Sequence, residues 1–466
     1  MNDVRPSSSQ GVAVAPASQE SRAYPVIWRL HFYAGLFCVP FVLWLAITGS
    51  IYLFKPQIDA FIDRPFDTLE IQGPVKPPSA RVASALTAVD GSALNAYELP
   101  EGPYSASRVL VSRGAELYRV YVHPQTLAIL KVIRDDRRFT RLLFYLHGEL
   151  LLGRPGSMAV ELAASWTIVM LLTGLYLWWP RDGRRVSGVL LPRLTARGRI
   201  LWRDLHAVAG FWVSVFALFL LVSGLPWAAS WGQLLKTARE IAAQSTVQQP
   251  WTTSSDDEAA ERLKANQQAL PVHHHGGSGG ATMSDQSSAE LDRLASVVAP
   301  LGMAYPVLLS PPAAGSTQWT VRSEAESRPL RESLVWDPAT GTIVSRTKFA
   351  QWPLVDRLVG YGVTIHIGQM FGWFNQALGV FTAAGLVTAV VSGIVMWWRR
   401  RPSGRLGAPP RRDGLSVAPV LCIVLALLAV LLPLLGLTLL AVLALDRWLL
   451  PRIPAMARYL GAMRAT

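Results

Sequence analysis

The chain has 466 residues, of which 51% are hydrophobic and only 16% are charged, whereas soluble domains carry about 25% charged residues. This composition disfavours a soluble cytosolic enzyme, a disordered protein and a nucleic-acid-binding domain. The formal net charge of +13 does not indicate a nucleic-acid groove, because the excess arginine lies in short segments beside hydrophobic runs. We therefore expect an integral membrane protein that binds the lipid bilayer and no nucleic acid.

A membrane-spanning helix needs about 20 mostly apolar residues, and four segments clearly meet this requirement. The predicted core spans are residues 25–54, 158–180, 200–227 and 374–398. A fifth apolar run, 417–450, is ambiguous. It is either one span or a hairpin broken at Pro433 and Gly436, and a hairpin would return the tail, 451–466, to the side where the run began.

Arginine-rich loops predict the orientation, because short basic loops remain in the cytoplasm. The loop 181–199 lies within a segment, 181–204, that holds seven Arg against two Asp, and residues 399–412 of the loop 399–416 hold six Arg and no acid. The polar amino-terminal tail, 1–24, is then cytoplasmic, and the first span is an uncleaved anchor.

Two long segments, 55–157 and 228–373, are expected outside the membrane. The two cysteines, Cys38 and Cys422, lie in apolar runs and cannot form a disulfide framework. We interpret the outside as the periplasm and the membrane as a bacterial inner membrane.

The chain contains an internal repeat. LHFYAG at 30–35 matches LHAVAG at 205–210, and His31 and His206 each precede a glycine by 18 residues. His147 and His366 each precede a tryptophan by 31 residues, and both begin an H-x5-G motif. The two units run in the same direction, so we predict a pseudo-two-fold axis along the membrane normal.

Short alternating runs in both external segments predict strands. Residues 79–89 are expected as a helix, 108–130 as three strands joined by turns, and 318–324 and 333–345 as strands of the second copy. An amphipathic helix is expected at 138–152. A flexible insertion is expected at 245–290, where Gln, Ser, Thr and Gly are abundant.

Four of the eight histidines occupy equivalent places in the repeat: His31, His206, His147 and His366. A single histidine of this kind is most simply a packing residue. Four at two duplicated positions favour function, because ionisable residues near a membrane core are costly. The parallel duplication lets His31 meet His206 near the cytoplasmic face and His147 meet His366 near the periplasmic face. Opposed imidazoles suit six-coordinate haem iron, and the lack of CxxCH indicates b-type haem.

Other residues permit both a functional and a structural interpretation. Each core span carries a hydroxyl–glycine dipeptide, which would admit a porphyrin or simply a neighbouring helix. Arg29, Arg203 and Arg141 could pair with haem propionates, although the first two also fit positive-inside flanking. The tract at 273–275 could bind a metal or stay solvated, and His123 is interpreted as a turn residue. The four dipeptides are Thr48-Gly49, Thr173-Gly174, Ser223-Gly224 and Ser392-Gly393.

The duplicated LH-x2-AG motifs, the mid-span T-G or S-G pairs and the WW[PR]R span ends resemble the PepSY-associated transmembrane family. The resemblance covers about residues 25–400. It implies two periplasmic α+β PepSY-like domains on a four-span helical bundle built from two parallel repeats. Members of this family include iron-regulated inner-membrane proteins and di-haem ferric-siderophore reductases, and the reductases imply haem ligation at the four equivalent histidines.

The leading hypothesis is an inner-membrane protein with two haem b groups that reduces a periplasmic ferric chelate, such as a siderophore, for iron acquisition. A quinol or an unidentified cytoplasmic donor would supply the electrons. No nucleotide-binding motif is present in the sequence. The alternative is a haem-free protein whose PepSY-like domains bind or regulate a periplasmic partner such as a peptidase. A transporter is less consistent, because the spans carry almost no charged residues.

Overall fold

The fold is seen in a computed structural model that describes residues 19–180, 188–241, 255–256, 258–260, 262–263, 283–313, 315–409 and 419–461. Five helices among these residues are long and apolar enough to cross a membrane: Ala23–Tyr52, Gly153–Trp178, Arg199–Trp227, Trp373–Arg400 and Pro433–Arg452. The first four correspond to the predicted core spans. The predicted tail 1–24 is shorter than expected, because helix is already present from Gln19.

Four helices form the core of the bundle: α1 (Gln19–Tyr52), α5 (Gly153–Trp178), α6 (Arg199–Gly224) and α10 (Trp373–Arg400). Helix α1 packs on α5 and α10, and α6 packs on α5 and α10, which closes a ring of four. Helices α6 and α10 approach so closely that a Cβ atom on Gly385 would clash with the side chain of Val213. We call the end where α5 and α10 finish, at Trp178 and Arg400, the arginine end.

The last apolar run is a hairpin. Helix α11 (Pro419–Leu431) is separated by the single residue Leu432 from α12 (Pro433–Ala444). A Cβ atom on Gly436 would lie 2.8 Å from the carbonyl oxygen of Ala429, which requires the chain to fold back on itself. The chain then returns to the arginine end through α13 (Pro454–Tyr459), where Arg29 donates to the carbonyl of Gly461 at 3.1 Å.

At the opposite end, which we call the domain end, the two external segments build one antiparallel sheet of eight strands in the order β4-β3-β2-β1-β5-β6-β7-β8. Strand β1 pairs with β5, with Tyr97 opposite Leu309 and Glu98 opposite Leu308. The two predicted external domains are therefore halves of a continuous sheet. The strands are Ala93–Glu98, Ser107–Arg113, Glu116–Val122, Ile129–Arg134, Val307–Ser310, Trp319–Ser323, Glu332–Asp337 and Thr342–Lys348.

Two helices cover the core face of the sheet, α3 (Pro78–Ala88) from the first segment and α8 (Asp285–Val298) from the second. Asp292 of α8 accepts hydrogen bonds from the backbone N–H and the hydroxyl of Ser79, at 2.8 and 2.6 Å. The core between helices and sheet contains Val82, Leu86, Val109, Leu291, Leu294, Trp319 and Trp336. The helix α3 and the six predicted outer strands agree with the sequence analysis, which missed β1 and β5.

The predicted flexible insertion, 245–290, is wrong at its carboxyl-terminal end. Helix α8 begins at Asp285, where the hydroxyl of Ser284 accepts the N–H of Ser287 as a helix cap. The apolar spacing of Leu291, Leu294 and Val298 then buries one face of the helix against the sheet. Most of the rest of 245–290, including the tract at 273–275, lies outside the described residues.

Shorter helices join the sheet to the bundle at the domain end. They are α2 (Lys55–Asp67), α4 (Phe139–Glu149), α7 (Ala229–Ile241) and α9 (Leu354–His366). Helix α4 lies within the amphipathic segment predicted at 138–152. Asp59 of α2 holds the start of α4, because it accepts from the Thr140 hydroxyl at 2.8 Å and lies 3.5 Å from the Arg138 guanidinium.

Candidate functional site

The four equivalent histidines form two pairs at opposite ends of the bundle. The ring centroids of His31 and His206 are 6.2 Å apart with an interplanar angle of 83°. Those of His147 and His366 are 6.5 Å apart at 81°. These are the pairings that the parallel repeat predicts. We call the first the arginine-end pair and the second the domain-end pair.

The two pairs lie far apart along the bundle. His147 packs against Gly49 of α1, which is 18 residues beyond His31 on the same helix. At about 1.5 Å per residue, this separation is about 27 Å along the helix axis. That length is close to the roughly 30 Å thickness of a bilayer core. The pairs therefore lie near the two faces of the predicted membrane region.

Hydrogen bonds select one tautomer for three of the histidines. Nδ1 of His147 lies 2.9 Å from the hydroxyl of Thr48, which donates its own proton to the Trp44 carbonyl. Nδ1 of His31 lies 3.1 Å from the hydroxyl of Thr173, and Nδ1 of His366 lies 3.0 Å from the hydroxyl of Ser223. Each of these hydroxyls donates its proton to a carbonyl of its own helix. When each hydroxyl gives its one proton to its own helix, Nδ1 acts as the donor to the hydroxyl oxygen.

His206 adopts the same tautomer, with the proton on Nδ1, through a contact with a backbone carbonyl. Its Nδ1 lies 2.7 Å from the carbonyl oxygen of Ala389, which can only accept. His31 also contacts a carbonyl, that of Met170, at 3.0 Å. In all four rings Nδ1 carries the proton and the lone pair remains on Nε2. Within the described part of the chain, no hydrogen bond is found at any of these Nε2 atoms.

The four hydroxyl–glycine dipeptides each adjoin one histidine. A Cβ atom on the glycine would lie 3.0 to 3.3 Å from the Cε1 atom of the imidazole, so a larger residue would displace the ring. From sequence alone, these dipeptides are explained at least as well by helix packing, and nothing local in the sequence assigns them to the histidines. The contacts are Gly49 with His147, Gly174 with His31, Gly224 with His366 and Gly393 with His206.

The H-x5-G motif sets the turn between each domain-end histidine and the span that follows. Gly153 and Gly372 both adopt left-handed backbone conformations, with φ of +60° and +58°. Other residues rarely tolerate that region, so glycine allows α4 and α9 to turn sharply into α5 and α10. This turn keeps both histidine-bearing helices against the domain end of the bundle.

The spacing within each pair fits two imidazoles on one metal ion. Two metal–nitrogen bonds of about 2 Å each, plus roughly 1.1 Å from each nitrogen to its ring centre, give a centroid separation of about 6.2 Å. No cluster of three or more His, Cys, Asp or Glu side chains suited to a metal occurs among the described residues. Each pair therefore offers two protein ligands, so further ligands would have to come with the metal.

The domain-end histidines are neutral at physiological pH. Burial lowers the pKa of His147 to about 4. Burial, together with the neighbouring His147, lowers the pKa of His366 to about 3. Neutral imidazole is the form that binds a metal, so these two rings are available as ligands.

A buried cation adjoins the domain-end pair. The indole of Trp227 lies 6.1 Å from the His366 ring, and the guanidinium carbon of Arg328 lies 5.8 Å from the Trp227 ring centre. Arg328 is only 8% exposed. Burial and the nearby Arg331 lower the pKa of Arg328 to about 10, so the side chain remains cationic at neutral pH.

The arginines suggested from sequence as propionate partners have other contacts. Arg29 donates to the carbonyls of Pro409 and Gly461, Arg203 pairs with the buried Asp204 at 2.8 Å, and Arg141 pairs with Glu258. His123 is a turn residue, because its Nδ1 accepts the N–H groups of Gln125 and Thr126 at 3.2 Å.

Comparison with known proteins identifies the family to which the chain belongs. A search of curated proteins finds no match. The sequence model described as the PepSY-associated TM region matches residues 28–400, which include the sheet, both histidine pairs, three core helices and α1 from residue 28 onward. Together with the apolar helices, this match confirms the resemblance seen in the sequence: the chain is a multi-pass membrane protein and belongs to the PepSY-associated transmembrane family.

Proposed function

We propose that this protein binds two b-type haems and passes electrons across a bacterial inner membrane. The observation that carries the proposal is the pairing of four imidazoles, with centroid separations of 6.2 and 6.5 Å and every Nδ1 within hydrogen-bond distance of a hydroxyl or carbonyl on a neighbouring helix. His31 and His206 hold one haem, and His147 and His366 hold the other. When bound, the haems supply one-electron transfer.

The donor set favours haem over a bare metal ion. Two imidazoles leave most coordination positions unfilled, and the described residues offer no third ligand group near them. A porphyrin brings its own four nitrogens, which completes six-coordination with two histidines. The chain's residues fix the tautomer through Thr48, Thr173 and Ser223, and the dipeptide glycines leave room for each ring.

The proposed reaction is reduction of a ferric chelate, such as a siderophore, on the periplasmic side. In this assignment the arginine end faces the cytoplasm, and the sheet offers the docking surface for the chelate. One electron converts Fe(III) to Fe(II), which binds hard oxygen ligands more weakly because of its lower charge. A quinol donor would release two electrons and two protons and so reduce two ferric ions; a cytoplasmic reductant is the other donor considered.

The first test is the visible spectrum of the detergent-purified full-length protein, oxidised and then reduced with dithionite. We expect a sharp reduced b-type spectrum and about two haems per chain. A colourless protein, after expression with ample haem, would contradict the proposal and favour the haem-free alternative in which the PepSY-like domains bind a partner.

The second test concerns the substrate. The dithionite-reduced protein, freed of excess reductant, is mixed with a ferric hydroxamate chelate and a colorimetric Fe(II) trap. We expect reoxidation of the haem spectrum with one Fe(II) formed per electron. The control is the same chelate with protein carrying His147→Ala and His366→Ala, which lacks the domain-end ligands. Equal reoxidation of both proteins would argue against chelate reduction at the domain end.

A further inference from the structure

The two histidine pairs differ in what accepts their Nδ1 protons. At the arginine end both rings contact backbone carbonyls, His206 to Ala389 at 2.7 Å and His31 to Met170 at 3.0 Å. At the domain end the acceptors are the hydroxyls of Thr48 and Ser223. His366 also has a backbone contact with the Leu220 carbonyl, so among the four rings His147 is the one whose Nδ1 partner is a hydroxyl alone.

This difference changes how strongly each imidazole donates to a metal. A hydrogen bond from Nδ1–H to a good acceptor raises the basicity of the ligand, which favours the oxidised, more positive iron. An amide carbonyl is a stronger acceptor than an alcohol oxygen. The arginine-end ligands therefore favour the oxidised state more than the domain-end ligands do.

The charges near the two pairs act in the same direction. The buried guanidinium of Arg328, placed behind Trp227 and His366, disfavours the extra positive charge of oxidised iron. Glu324 and Glu326 act on this guanidinium, and its burial limits screening by water and salt. At the arginine end, Arg399 and Arg400 are exposed, so water and salt screen them. The buried Asp204, two residues from His206, is paired with Arg193 and Arg203.

From these contacts we infer that the domain-end pair is the site of higher reduction potential. Electrons that enter at the arginine end would therefore collect at the pair beside the sheet. The inference rests on the proposed haem function and assigns Thr48, Ser223 and Arg328 as positioning residues that act through His147 and His366. The inference gives the predicted electron path a direction. That direction is set by the residues that contact the histidines, because the histidines themselves are the same at both ends.

The test is a spectroelectrochemical titration of the full-length protein in detergent. The wild type is expected to titrate in two one-electron components, and His147→Ala is expected to remove the higher-potential one. If His147→Ala instead removes the lower-potential component, or if the two components coincide, the inference is overturned. A colourless wild type would overturn the haem proposal itself, which is a distinguishable result.

Variants of the positioning residues distinguish an effect on the reduction potential from an effect on folding. Arg328→Gln is expected to lower the domain-end potential by about 59 mV, which is a tenfold change for one electron, whereas Arg328→Lys keeps the charge and most of the potential. Thr48→Val removes the acceptor of His147 and is expected to raise that potential, and Thr48→Ser should restore it.

Thr173→Val is the matched control at the other end. His31 keeps the Met170 carbonyl as an acceptor, so we expect a smaller shift, confined to the lower-potential component. Equal shifts from Thr48→Val and Thr173→Val, or a folded Arg328→Gln variant with both potentials unchanged, would contradict the assignment.

Discussion

The arginine-end and domain-end pairs use the same residue types but are carried by different parts of the fold. His31 and His206 lie on the long helices α1 and α6 themselves. His147 and His366 lie on α4 and α9, which are short helices outside the core spans. The arginine-end pair therefore depends on packing of the bundle alone, whereas the domain-end pair also depends on how the external segments dock.

The docking of α4 and α9 rests on polar contacts with the external segments. Asp356 of α9 is fully buried and forms an ion pair with Arg239 of α7, and the backbone N–H of Arg328 donates to the Thr364 hydroxyl at 3.2 Å. Asp59 and Asp135 hold the start of α4. Damage to the external segments should therefore affect one histidine pair and spare the other.

The largest effect is expected from removing one ligand. His147→Ala and His31→Ala should each lower the haem content from about two to about one per chain, because a single imidazole does not hold six-coordinate haem firmly. Pyridine haemochrome assay against protein concentration measures this ratio. His123→Ala, in a surface turn, should retain both haems. Equal loss of both haems in a folded single variant would show that the pairs are not independent.

The next effect concerns the close glycines. In Gly49→Ala the new Cβ would lie 3.0 Å from Cε1 of His147, which pushes the ring from its position. We expect about tenfold weaker haem retention at the domain end, as for other changes beside metal ligands, measured by transfer to apomyoglobin. Gly210→Ala is the control, since its Cβ would meet open space. Unchanged retention in Gly49→Ala would mean that this contact does not constrain His147.

A smaller effect should follow from loosening α4. Asp59→Asn removes a charge that contacts Lys55 at 2.8 Å and Arg138 at 3.5 Å, and we expect a loss of about 1–2 kcal/mol in stability. Thermal melting should show earlier release of the domain-end haem alone. The control Asp136→Asn breaks a more exposed pair with Arg134 and should shift the melt less. A matching loss at the arginine end would contradict the separation of the two pairs.

Acid should distinguish the two ends only at low pH. Burial alone would raise the pKa of Asp59 and of Asp135, but Lys55 and Arg119 hold both below the usual 3.8. A depressed pKa gives stability that is present above 3.8 and lost as pH falls through the lower folded value. We expect α4 contacts to hold from pH 7 to about 4 and to weaken below it, measured by amide hydrogen exchange. Weakening near pH 6 would implicate another group.

Much of the bundle and of the histidine pairing could be predicted from sequence, because both follow from periodic patterns. Apolar length predicts the spans, and equal spacings from His31 and His206 to their glycines predict which rings meet. The hairpin could not be decided, since Pro433 permits both a kinked span and a reversal. Only the packing of Gly436 against Ala429 selects the reversal.

The parts that sequence reasoning missed depend on contacts between distant segments. Strand β5 has only four residues, and its pairing with β1 joins residues more than 200 positions apart, which no local pattern records. The hydroxyl–glycine dipeptides were visible, but their partners were not, because a helix sequence does not show which neighbour its small residues face. Their equal spacing from the repeated histidines was the signal that could have been used.

The pairing of β1 with β5 also limits how the molecule can move. A carrier that works by alternating access rocks one half against the other. Here the outer halves are joined by strand pairing at Tyr97 and Leu309 and by the bond from the Leu99 N–H to the Val307 carbonyl at 2.9 Å. Rocking would have to break these backbone bonds. The continuous sheet therefore joins the two halves at the domain end and disfavours a rocking motion of one half against the other.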